Sequence, residues 1–180
     1  GYELDKKNDT NKPRHRAIVW ACPAHYYTNF TYWAQHCWGV KTVVDMECML
    51  SHHFIHIGDK KEAMIDLAKT YEKMMMRSHT NGGYQNSLDE CWKMCERFNV
   101  NIVIMYDHVS CKNVGGLHGL FEDQARERGI HLIWVPHDLM DARTVSRREM
   151  REAFNKYMVN VFREEPLDPS LVDYEDTIAW

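Results

Sequence analysis

A chain of 180 residues with 44% hydrophobic side chains is long enough for one domain with a substantial buried core. Lys+Arg 22 against Asp+Glu 26 leaves a net charge of −4 without any basic block, which argues against a nucleic-acid partner. No apolar run approaches the roughly 20 residues needed to span a bilayer, and the polar opening GYELDKKNDTNKPRHR lacks the apolar core of an export signal, so no membrane partner and a cytoplasmic location are expected.

Residues 1–13 read as a flexible entry segment, 14–163 as one domain and 164–180 as an acidic, Pro-containing tail. Within the domain, RAIVWAC (16–22), stopped by Pro23, has the pattern of a short buried strand. NFTYWAQHCW (29–38) follows as a helix with Gly39 placed to cap it, and VKTVVDM is β-branched enough for a second strand. KKEAMIDLAKTYEKMMMRSH (60–79) predicts a helix whose stripe runs through Ala63, Leu67, Ala68, Tyr71, Met74 and Met75. NSLDECWKMCERF (86–98) predicts another, capped by Asn86 or Ser87. VNIVIMY (100–106) is the clearest strand. After a polar loop come a helix over 117–128, ended by Gly129, and a fourth strand, IHLIWV (130–135). PHDLMDARTV then forms a loop, and Ser146 to Phe162 a last helix opened by a capping box of Ser146 and Glu149.

Alternation of this kind implies right-handed βαβ crossovers. The expected fold is α/β, a Rossmann-like (flavodoxin-like) three-layer sandwich with a four-stranded parallel sheet in order 2-1-3-4. Ligands of such sheets bind beyond the carboxyl ends of the strands, where the order reverses. That puts CPAHYY, after the first strand, opposite DHVSCKNVGG, after the third.

Six cysteines (Cys22, Cys37, Cys48, Cys91, Cys95 and Cys111) show neither disulfide-scaffold nor zinc-ribbon spacing. Cys91 and Cys95 share an apolar stripe with Leu88, Trp92 and Phe98, which indicates packing. His52 and His56 have the spacing of a helical metal pair but read as surface residues. Two readings are open for Cys111. It is a small buried hydrophobe, or it is a thiolate favoured by neighbouring Lys112 and a following helix, serving as nucleophile or metal ligand. Asp138, Asp141 and Arg143 lie past the fourth strand, where two readings are open: an Asp138–Arg143 ion pair that orders the loop beside the site, or a ligand role.

Three elements together carry a resemblance: SCK after the third strand, D-x-x-D-x-R-x-x-S after the fourth, and R-x-x-F in the last helix. Over residues 14–163 the chain resembles the C-terminal domain of the 2-hydroxyacyl-CoA dehydratase and benzoyl-CoA reductase family, of the 2-hydroxyglutaryl-CoA dehydratase D-component type. The resemblance implies an iron–sulfur subunit that performs ATP-driven, low-potential one-electron reduction of an acyl-CoA thioester. It also implies a [4Fe-4S] cluster held by three cysteines, of which Cys111 matches the last. The other two would lie in an N-terminal region absent here, so the isolated chain is expected to lack a complete cluster and to be inactive. Implied partners are that region, a homologous second subunit, an ATP-dependent iron–sulfur activator and the acyl-CoA substrate. His25, Ser110, Lys112 and Asp138 are the substrate-site candidates. A flavodoxin-like module for a nucleotide or flavin, and a non-catalytic subunit-docking domain, are the alternatives.

Overall fold

Four short runs rich in Ile, Val and aromatic residues pair in parallel, and everything else is arranged on the sheet they make. The computed structural model describes residues 12–48, 54–72, 74, 77, 79 and 82–173. Its strands are β1 (His15–Trp20), β2 (Val40–Asp45), β3 (Ile102–His108) and β4 (His131–His137), in the expected order β2-β1-β3-β4. β1 pairs with β3 from Ala17↔Ile102 to Trp20↔Met105, and with β2 on its other side. Both central strands are buried nearly throughout, as a sheet covered on two faces requires.

The helices are α1 (Phe30–Trp38), α2 (Lys60–Glu72), α3 (Tyr84–Phe98), α4 (Lys112–Gly116), α5 (His118–Arg128) and α6 (Arg147–Tyr157). Side-chain alternation separates the two layers. Tyr106 of β3 meets Phe30 of α1, and Phe30 meets Phe154 of α6. Trp134, which pairs with Met105 and so faces the other way, meets Phe121 of α5. Phe121 in turn packs on Trp92 of α3. The sheet therefore lies between α1 with α6 and α3 with α5.

Helix ends follow local chemistry. Gly39 and Gly129 close α1 and α5 in the left-handed region, each donating its N–H back to the last turn. A Cβ on Gly39 would lie 3.0 Å from Leu167 Cδ1, so the position excludes larger residues on both counts. The Ser146–Glu149 capping box opens α6 as expected. That helix then widens into a π-helical turn at Met158–Phe162 and stops at Arg163, whose φ is +57°. The tail, as far as Asp173, packs back on the domain: Leu167 N donates to Cys37 O at 2.7 Å and Trp33 Nε1 to Leu171 O at 2.8 Å. Glu164 pairs with His15 at 2.8 Å.

Four sequence expectations need correction. α3 begins at Tyr84 and is capped by Gly83 without a side-chain bond, because the Ser87 hydroxyl instead accepts from Trp20 Nε1. The helix after β3 is two helices, α4 and α5, meeting at Leu117. β4 runs on through Pro136 to His137, which an edge strand allows because a proline there can leave its missing N–H outward. The α2 stripe does not face the core: Leu67 and Tyr71 are 50% and 62% exposed, and Asp66 is the buried residue. Its acid accepts from His56 Nδ1 at 2.7 Å, an ion-pair geometry. Residues 1–11, His52, Met75 and the tail beyond Asp173 lie outside the described residues. Among the described residues no helix is long and apolar enough to cross a membrane.

Phe30 joins three elements through rings 5.3–5.9 Å apart, with Trp33 on its own helix, Tyr106 on β3 and Phe154 on α6. Phe30→Ala is expected to cost about 3–5 kcal/mol of unfolding free energy, measured by denaturant titration. A loss under about 1 kcal/mol would show that this ring cluster does not hold the layer together.

Candidate functional site

At the carboxyl ends of β1 and β3, where the strand order reverses, the loops part around a cavity of about 350 Å³. Its β1 side is Trp20, Ala21 and Cys22. Ala21 takes φ +68°, an unfavourable region for a residue with a Cβ, at a cost of about 1–2 kcal/mol, and so turns the chain sharply after the strand. The β3 side supplies Tyr106, His108, Ser110 and Cys111. Val114, Leu117 and Phe121 close it from α4 and α5, and His137 and Leu139 from the end of β4.

Cys111 and Cys22 thus face one space, as the switch-point reading requires. Cys111 is half-buried and immediately precedes α4, its carbonyl accepting from Gly115 N at 3.1 Å. Its loop is held by a turn, Cys111 N to His108 O at 2.9 Å, and by Ser110 N donating to His108 Nδ1 at 3.0 Å. Cys22 is in a different electrostatic setting. Burial, then a hydrogen bond and the negative charge of Glu47, with smaller contributions from Cys111 and Asp45, push its thiol up to about 11. Cys37, Cys91 and Cys95 are buried in the core, in keeping with packing.

The other substrate-site candidates divide. Ser110 lines the cavity beside Cys111. Lys112 and His25 are exposed and do not line it; His25 N instead donates to Leu139 O at 2.9 Å, tying the β1 loop to the β4 loop. Asp138 also lies off the lining. Its Oδ1 accepts from Met140 N and Asp141 N, both at 2.9 Å, and these bonds hold its carboxyl below the ordinary carboxylate range. The ion pair in this loop is not Asp138–Arg143. Arg143 clasps Asp141 with Nε and Nη2, the latter at 2.7 Å, because Asp138 is already used by the turn. That clasp lowers Asp141 to about 2.

Two histidines that sequence reasoning missed stand at the floor. His108 and His137 are register partners at the last positions of β3 and β4, with rings 5.3 Å apart. His137 is 1% exposed, and neither ring nitrogen makes a well-formed hydrogen bond, although the carbonyls of Asp107 and Cys22 approach it. Burial, and then His108, depress it to about 4, so it is neutral near pH 7. Tyr106 packs edge-on to His137 at 5.2 Å, and burial raises its phenol, which keeps it protonated. The available signal was a histidine at the carboxyl end of each of two adjacent strands, in DHVS and PHDL; Pro136 obscured the second.

The last-helix motif R-x-x-F also has a visible role. Buried Arg151 donates to Tyr27 Oη at 3.0 Å, and Phe154 packs on Phe30 and Trp33, so α6 fixes the turn that follows the β1 loop.

Two outcomes are expected. In the native protein at pH 8, iodoacetamide should modify Cys111 before Cys22, Cys37, Cys91 or Cys95, since each of the four is buried or holds its proton too tightly; peptide mass mapping reads the order, and late modification of Cys111 would mark it as a packing residue. The Asp138 and Asp141 carboxylates should titrate below the ordinary 3.8 in carboxyl-carbon NMR. Because their folded values are depressed, their contribution to stability is present above the ordinary carboxylate range and is lost as pH falls through the lowered values, about 2 for Asp141. Arg143→Ala should bring Asp141 back toward its ordinary value.

The family model described as 2-hydroxyglutaryl-CoA dehydratase, D-component, matches residues 2–158. No curated protein matches the chain. With a match over most of its length, on a fold whose loops carry the cysteine and the aspartate–arginine motif, the chain belongs to the 2-hydroxyglutaryl-CoA dehydratase D-component family.

Proposed function

We propose that the chain is the domain of a 2-hydroxyacyl-CoA dehydratase-type subunit in which the cavity between the β1 and β3 loops receives the acyl part of a CoA thioester and Cys111 contributes one ligand to a [4Fe-4S] cluster. The observation that carries this is the position of Cys111: a half-buried thiol at the rim of a largely apolar cavity at the sheet's switch point. The family description favours dehydration over the ring reduction of a benzoyl-CoA reductase.

A four-iron cluster takes three or four thiolates. Among the described residues no group of three or more His, Cys, Asp or Glu is placed to hold a metal ion. Cys22, the other thiol in the cavity, keeps its proton beside Glu47. Among the described residues the site offers one ligand position, and the cluster's remaining thiolates are assigned to other segments or to a partner subunit. When assembled, such a cluster would supply the low-potential electron, received from an ATP-hydrolysing iron–sulfur activator.

The chain's own residues prepare the substrate. Tyr106, kept as a phenol, and neutral His137 present uncharged hydrogen-bonding groups in a space from which Trp20, Phe121, Val114 and Leu117 exclude water. Ser110 stands beside Cys111 and offers a hydroxyl. Asp138, Asp141 and Arg143 act by ordering the loop and not by moving protons, since Asp138 Oδ1 holds the turn and Arg143 clasps both oxygens of Asp141.

The test is anaerobic reconstitution with ferrous iron and sulfide, read by iron content and electron paramagnetic resonance. The chain by itself should retain fewer than about four irons. Assembled with its cysteine-bearing partner it should hold a full cluster, and Cys111→Ser should lower iron retention and change the spectrum. A full cluster on the isolated chain that survives Cys111→Ser would overturn the assignment.

A further inference from the structure

We propose that the exposed apolar face of α2 is a self-association surface, on which a second copy of this chain packs its own α2 in antiparallel fashion. The inference does not depend on the reading of the cavity.

α2 is docked on the domain by its polar side. Asp66 is buried, and its Oδ2 accepts from His56 N at 3.2 Å and from His56 Nδ1 at 2.7 Å. At about 3.6 residues per turn, Met64, Leu67, Ala68 and Tyr71 fall on the opposite side of the helix. That side faces solvent: Met64 is 66% exposed, with Leu67 and Tyr71 at 50% and 62%. Met64 and Tyr71 are one heptad apart, as are Leu67 and Met74, which is the spacing of a helix–helix seam. A groove of about 490 Å³ lies along them, with the small residues Ala68 and Thr70 leaving room for incoming side chains. Phe54 and Ile57, on either side of His56, add further exposed apolar surface.

The charges on α2 select the occupant. Glu62 near the start and Lys69 near the end suit the helix dipole. Lys60 and Lys61 at the N-terminus and Glu72 at the C-terminus oppose it. An antiparallel helix of the same sequence corrects this, because each end then lies beside the opposite end of its neighbour. The edges match as well. Lys61 and Glu72 are exposed and about three turns apart, so both lie on the Ala68 edge of the stripe. A two-fold axis near Leu67 and Ala68 brings like edges together. Lys61 of each copy then meets Glu72 of the other, and Met64 meets Tyr71. A single helix pair is small beside the roughly 800 Å² per partner of a standard interface, so a dissociation constant of about 10–100 µM is expected.

The test is sedimentation velocity on the full chain from about 5 to 500 µM, where a monomer–dimer equilibrium is expected. A chain that stays monomeric at about 500 µM would overturn the inference. Leu67→Glu, at an exposed position, should raise the dissociation constant about tenfold or more with unchanged circular dichroism. A dimer indifferent to that change would place the interface elsewhere and overturn the proposal. Lys61→Glu and Glu72→Lys should each weaken the dimer about threefold, and the two together should restore it to within about twofold. Failure of the double variant to recover would overturn the antiparallel arrangement.

Discussion

The pairing of β1 with β3 is the constraint on which the rest of this structure depends. Ala17 to Trp20 lie beside Ile102 to Met105, so two strands separated by about 80 residues of chain end side by side. β2 lies on the other side of β1, and the loops leaving β1 and β3 therefore part in opposite directions. The cavity between them is a consequence of that topology. The chemistry is added by the residues at the strand ends: Cys22 two residues beyond β1, His108 at the end of β3, Cys111 three residues beyond it.

The supporting contacts tie the β1 loop to the loop after β4 and to α6. His25 N bonds to Leu139 O, Tyr26 Oη donates to Val145 O, and Arg147 Nε donates to Tyr26 O. α6 thereby holds the β1 loop through Tyr26 and Tyr27, and the capping box fixes where α6 starts. The D-x-x-D-x-R-x-x-S motif belongs to the same scaffold. Its first aspartate makes the turn, its second is clasped by the arginine, and its serine caps the helix.

The sheet order, the helix caps at Gly39, Gly129 and Ser146, and the meeting of Cys22 with Cys111 were legible in the sequence because each depends on local chemistry or on a topological rule. What was not legible depended on competition between distant partners. Ser87 could cap α3 by its own chemistry, but Trp20 Nε1 takes its hydroxyl from 67 positions away. Asp138 could pair with Arg143, but the turn takes its oxygen first. The stripe on α2 identified an amphipathic helix, but periodicity does not say what a face meets, and both faces of this sheet are already covered by α1, α6, α3 and α5. Pro136 reads as the end of a strand until β4 is known to be an edge.

The extension of β4 past Pro136 shapes the site. Ending β4 at Val135 would put His137 in a mobile-looking polar loop, where an imidazole is solvated and titrates normally. Continuing the strand by two residues buries the ring against Tyr106 and His108 and strips its nitrogens of good partners, and the same burial keeps it uncharged. His137 thus gives the floor of the cavity a polar group that is uncharged near pH 7. At the rim, burial and then Glu47 keep the Cys22 proton in place. The proposed function would draw on both environments: a metal-binding cysteine would need access at the rim, and a substrate to be desolvated a floor without charge. The parallel sheet supplies both within one crevice, because residues at a strand end are buried and those a few positions further along the loop are not.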